Sequence, residues 1–256
     1  MSSDADTGIE KETISFLSFI TKEKTPTMEI KYEISGSSFK TQLPIFQDGD
    51  AEEFLHFLFE FNQAKAKLGY TSGSKLESGI EQLLKGTARH EWNTIKTTVD
   101  PTSTSAAAFE RRVDALKAIY IPDPAAITNQ KNYMRRVRKN DKTTVPQFLD
   151  RLKHINMLLV QFPNAAPTDA FNAEEVKQLF YHAMPARWRT NFMNSGQNVN
   201  TTPLETLRTY MVQQEVQTDS HRKKVRENNQ KKGSGTNRSQ KKTRTYDKHS
   251  SSKSSK

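Results

Sequence analysis

The sequence contains no cysteine, which removes disulfides, thiol nucleophiles, iron–sulfur clusters and every zinc site with thiolate ligands, and which fits a reducing compartment. Apolar residues are also sparse: 34% of 256 residues are hydrophobic and the mean hydropathy is −0.81, so a modest core is expected and part of the chain should remain unfolded. Long apolar runs are missing as well. Ile14–Ile20 is too short to cross a bilayer and follows acidic residues where a signal peptide would be basic. No membrane partner is therefore expected, and the location read from the sequence is cytoplasmic, with the nucleus as the alternative.

What the chain does have is charge, and it is unevenly placed. Between Thr218 and Lys256 lie 13 of the 39 basic residues and 3 of the 29 acidic ones, a net of +10 that equals the charge of the whole chain, while the remainder carries 26 of each sign. The pI of 9.6 is thus a property of one segment. Val225 and Tyr246 are its only sizeable apolar residues, too few to offset the entropy of ordering it. Residues 218–256 are expected to form a disordered basic tail.

Upstream, residues 1–40 read as an arm, in which alternation at Met28, Ile30, Tyr32 and Ile34, followed by Ser35-Gly36-Ser37-Ser38, predicts a hairpin over 28–40. From Asp50 the apolar period becomes helical. Asp50 with Glu53 opens a helix carrying Phe54, Leu55, Leu58 and Phe61. Ser74 with Glu77 opens one carrying Leu76, Ile80 and Leu83, and two more follow through Trp92 and Phe109. Ile121-Pro122-Asp123-Pro124 is the best internal boundary, because proline excludes helical geometry from the residue before it. Beyond it, Asp123 reads as an N-cap with Pro124 at the first helical position. Four further helices are predicted over about 145–162, from Asn172 with Glu175, from Pro185 to Gly196, and from Thr202-Pro203. The fold class is all-α, with two small helical lobes at 41–121 and 122–217, the hairpin before them and the tail after them.

The order of residues resembles the capsid region of Gag polyproteins from long-terminal-repeat retrotransposons. Leu43-Pro44-Ile45-Phe46-Gln47-Asp48-Gly49-Asp50 with the helix after it resembles that family's entry into its first capsid helix. Leu83-Leu84-Lys85-Gly86-Thr87-Ala88-Arg89-His90-Glu91-Trp92 resembles its most recognisable motif. Three later blocks, Val145–Leu152, Leu179–Trp188 and Thr202–Leu207, are similar to second-lobe helices. The resemblance spans roughly Thr41 to Gln217 and extends to domesticated capsid-like proteins of the Arc type. It implies two retroviral capsid-like lobes, homo-oligomeric self-assembly into a shell or virus-like particle, and RNA packaging. The chain departs from the family in lacking the Cys-Cys-His-Cys zinc knuckle that often follows the capsid; the resemblance implies either that the basic tail takes over that role or that the knuckle lies on a longer polyprotein from which this chain is cut.

The residues expected to bind nucleic acid are Arg222, Lys223, Lys224, Arg226, Lys231, Lys232, Arg238, Lys241, Lys242 and Arg244. Lys and Arg bind phosphate largely by releasing condensed counterions, which needs charge density and no fixed fold. With almost no aromatic residue interleaved, base stacking is weak and RNA binding should be largely sequence-blind. A nuclear-import signal or a solubilising tail is the blander reading of the same residues. A second cluster, Arg135-Arg136 with Arg138-Lys139, ends a predicted helix, where cations complement the helix dipole. That reading takes precedence over a second RNA contact.

No catalytic constellation, metal site or cofactor is expected. Asp6-Thr7-Gly8 has the form of an aspartic-protease loop but lacks the apolar strands that such a loop needs. His90-Glu91 has Thr94 where a zinc protease has its second histidine. Gly233-Ser234-Gly235 opens no helix. Trp92 and Trp188 lie on apolar helix faces and are read as core. The functional expectation is a non-enzymatic Gag-like structural protein; the alternative is a host-domesticated, capsid-like adaptor that binds protein partners, with the tail as import signal.

Overall fold

A computed structural model describes residues 26–34 and 37–234. It is mostly helical, with a two-stranded sheet followed, among the described residues, by nine α-helices. Strands β1 (Thr27–Ile34) and β2 (Ser37–Pro44) pair antiparallel, with Ile30 opposite Thr41 and Tyr32 opposite Phe39. The Tyr32 and Phe39 rings stack at 5.8 Å, and Lys40 reaches the Glu29 carboxylate at 3.0 Å, the cross-strand pairs that stabilise a two-stranded sheet. The predicted hairpin is present, but β2 continues through Pro44, past the boundary read at residue 40, because Lys40-Thr41-Gln42-Leu43 keeps the alternation and seats Leu43 in the core.

Helix α1 (Ala51–Ala64) begins at Asp50, whose carboxylate accepts from the N–H groups of Glu52 and Glu53. Helix α2 (Gly73–Leu83) is capped by Ser72, not by Ser74. Glu77 was misread as a capping partner, because it is drawn instead into a buried pair described below. Helices α3 (Gly86–Thr98) and α4 (Ala106–Tyr120) complete the first half. Helix α5 (Ala126–Arg136) starts two residues later than Pro124 implied. Asp123 still satisfies a backbone donor, the Ala125 N–H at 2.8 Å, but its other oxygen accepts from Asn129, so it closes a turn ahead of the helix. Helix α6 (Val145–Leu158) has a capping box formed by Thr144 and Gln147 and tightens into a 3-10 turn at Leu159–Gln161. Asn172 and Glu175 form the reciprocal box predicted for α7 (Ala173–Ala183). Helices α8 (Ala186–Asn194) and α9 (Leu204–Ser234) follow.

Two hydrophobic clusters result. The first gathers Leu43, Phe46, Phe54, Phe57, Phe61, Ile80, Trp92, Phe109 and Leu116 from β2 through α4. The second gathers Met134, Phe148, Leu152, Ile155, Phe180, Phe192, Leu207 and Met211 from α5 through α9. Helix α1 serves both. Its Phe54, Phe57, Leu58 and Phe61 face the first cluster, while Leu55 belongs to the second. Along that second side, Glu52 pairs with Arg151 of α6 at 2.7 Å, the His56 and His154 rings lie 5.5 Å apart, and Asn62 donates to Gln161 at 2.9 Å.

Within the first cluster, the segment Phe46–Asp48 is clamped to the α2–α3 junction. Phe46 N–H donates to Leu83 C=O, Lys85 N–H to Phe46 C=O and Ala88 N–H to Gln47 C=O, and Asp48 accepts from the Thr87 N–H at 3.2 Å. Gly86 sits in this junction at φ +51°, where a Cβ would stand 2.6 Å from Gln47 Cγ. Glycine is required there for both conformation and space.

Arg112 of α4, 2% exposed, pairs with Glu77 of α2 and donates to the carbonyls of Val99, Asp100 and Ser103. Removing one partner of such a pair strands the other. Arg112→Ala is expected to lower unfolding free energy by about 3–5 kcal/mol, and a loss under about 1 kcal/mol in urea denaturation would show that the pair is dispensable.

His154 has its pKa held down to about 4 by burial, with the nearby charges of Arg151 and His56 adding to the effect. The unfolded chain therefore takes up this proton at a higher pH than the folded one. Stability contributed by neutral His154 is present above about pH 6.5 and is lost as pH falls towards 4. The urea midpoint should fall over that window, and the fall should be smaller in His154→Gln; an equal fall in both proteins would remove His154 as its source.

Candidate nucleic-acid interface

Helix α9 begins as core and ends as charge. Leu207 and Met211 are buried, Val216 is 60% exposed, and the chain divides after Val212 into a first compact unit and a second that begins at Gln213. The helix itself does not stop there. It continues to Ser234, carrying Arg222, Lys223, Lys224, Arg226, Lys231 and Lys232. Lys223 and Lys224 are exposed.

The helix thus reaches into the segment expected to be disordered from residue 218, of which residues 235–256 lie outside the described residues. Lys, Arg, Glu and Gln are good helix formers, the stretch contains no proline, and its first glycine is Gly233. Arg238, Lys241, Lys242 and Arg244 lie outside the described residues, as do Asp6-Thr7-Gly8.

The geometry sets the charge density. From Arg222 to Lys232 the helix rises roughly 15 Å and, with Glu227 counted, carries a net of about five positive charges, one per roughly 3 Å. That is close to the phosphate spacing of about 3.4 Å along one strand of B-DNA. The six positions, advancing about 100° per residue, fall all round the axis and form no single stripe. Its charge density is on the scale that neutralising a phosphate backbone requires.

The second basic cluster is placed differently. Arg138 donates to the carbonyls of Arg136 and Val137, each at 2.9 Å, and to that of Arg135 at 3.4 Å. It closes the end of α5, as the dipole argument expected. The Arg135 guanidinium and the Lys131 ammonium each lie 5.3 Å from the Phe171 ring centroid. Lys139 sends its N–H to Ala183 C=O, the last residue of α7, and its ammonium sits 5.5 Å from the Trp188 ring centroid. Trp188 and Trp92, 6% and 0% exposed, are both core residues. His182 is held below the usual imidazole range by burial first, then by the charges of Arg189 and Arg138. The sequence did not associate His182 or Arg189 with this cluster, because they are distant along the chain and meet it only through packing of α7 and α8.

His90 is exposed on α3, and the Thr94 hydroxyl, at the position a second ligand would occupy, donates to the His90 carbonyl. Among the described residues no three acidic or imidazole side chains are grouped to hold a metal ion, and no helix is long and apolar enough to cross a membrane. No protein-family model, curated protein or solved structure matches the chain.

Proposed function

We propose that the chain is a Gag-type structural protein, without enzymatic activity, whose helical body self-associates into a capsid-like particle and whose basic C-terminal segment packages RNA. The observation that carries this reading is the partition of charge: the whole net charge of +10 lies from Thr218 onward, after a body with equal numbers of each sign. Two further features support it. The body holds two hydrophobic clusters, one on each side of the Ile121–Pro124 boundary apart from Leu55 and Ile121, as two small lobes of the capsid kind would. Moreover, the two N-terminal sequence blocks that resemble the Gag family are hydrogen-bonded to each other at Phe46–Asp48 and Leu83–Ala88, so their residue choices serve one local structure.

In this reading RNA neutralises segments that otherwise repel one another. Tethering many chains to one strand raises their local concentration, and weak contacts between bodies then suffice for assembly. Binding is largely blind to sequence and falls steeply with salt. If about ten charges engage a single strand, log affinity plotted against log salt should have a slope near −7. Binding that is independent of salt, or fully retained after removal of residues 218–256, would contradict the proposal.

A further inference from the structure

We infer that the body carries a second RNA-phosphate contact, at the corner where the C-terminal ends of α5 and α7 meet the start of α8. The inference rests on the RNA-binding reading above and deepens it, since it assigns phosphate binding to a folded surface as well as to the basic segment. The chain from Arg135 to Lys142 holds five cations, Arg135, Arg136, Arg138, Lys139 and Lys142, against one acid, Asp141. The Lys139 N–H to Ala183 C=O bond fixes this stretch to the end of α7, and Lys139 lies over Trp188 of α8. His182 of α7 is within the electrostatic reach of both Arg138 and Arg189, so α8 adds a further cation to the same corner.

Charge magnitudes separate this from simple helix capping. Two helix C-termini present about −0.5 charge each, and Arg138 alone already satisfies the last carbonyls of α5. With Asp141 and both helix ends counted against the five cations of 135–142 and Arg189, about +4 remains at the corner. The charges that act on His182 agree in sign: both are positive and both disfavour its protonation. Arg135 and Lys139 are held against aromatic rings, and Arg136 and Arg138 are exposed, an arrangement that presents guanidinium groups from a rigid base. Planar guanidinium groups match phosphate oxygens two at a time. The aromatic residues beneath, Phe171 and Trp188, are buried and offer no face for base stacking, so the corner fits a polyanion backbone and not a base sequence.

The test uses the full chain, with its basic segment intact, and a fluorescent single-stranded RNA of mixed sequence titrated at several salt concentrations. Arg135→Gln/Arg136→Gln should weaken binding and make the log–log salt slope shallower by about 1.4, from about 0.7 per single-strand phosphate contact. Arg135→Lys/Arg136→Lys, which keeps the charge, should restore the slope. An unchanged slope and affinity in the glutamine pair, with its thermal unfolding unchanged, overturns the inference, as does failure of the lysine pair to restore the slope. A parallel Lys223→Gln/Lys224→Gln chain separates the two readings. Loss there but not at the corner removes the corner alone, whereas no salt-dependent binding by the parent chain removes both.

Discussion

One helix has to satisfy two cores at once, and much of the body depends on it. Every turn of α1 presents an apolar group to the first cluster through Phe54, Phe57, Leu58 and Phe61, each worth about 1.5–3 kcal/mol when fully buried. Its other side meets α6 and the 3-10 turn after it through Leu55 and the chain of polar contacts Glu52–Arg151, His56–His154 and Asn62–Gln161. The two sides differ in kind. The first is a packed aromatic core, and the second is a seam where charged and imidazole groups sit between helices. Removing one partner of a buried pair such as Glu52–Arg151 is costly, and His154 makes the strength of this seam depend on pH.

The same division of labour appears at the scale of the chain. The residues that form the two clusters lie in a stretch of balanced charge, and the net charge lies from Thr218 onward. Helix α9 joins the two regimes without a break, since Leu207 and Met211 belong to the second cluster and the helix then runs on through Arg222–Lys232. If the corner at the ends of α5 and α7 also takes phosphate, RNA would be held by a folded surface as well as by an extended one.

Much of this was legible in the sequence. Spacing of apolar residues placed every helix from α1 to α9, and short-range chemistry placed the starts of α1 and α7 and both ends of α8, because Asp50, Asn172, Pro185 and Gly196 act on neighbours a few residues away. Failures came where a distant partner outbid a local one. Glu77 has the spacing of a cap, but Arg112, thirty-five positions on, claims it. Pro124 suits a first helical turn, yet Asp123 is used to tie down Asn129 and the helix waits until Ala126. The candidate RNA-binding residues were found by charge alone, and the six from Arg222 to Lys232 lie on α9. The basic corner was half visible, since Arg135–Lys139 are contiguous, while His182 and Arg189 reach it only through the packing of α7 and α8.

The central claim is that RNA binding and self-association are coupled, so that neither the body nor the nucleic acid alone suffices. It is tested most directly by imaging the purified chain by electron microscopy with and without single-stranded RNA at low and high salt. The account predicts closed, regular particles when RNA is present at low salt, and few or none when RNA is absent or salt is high. Only dispersed chains under every condition, or the same particles whether or not RNA is present, would contradict it.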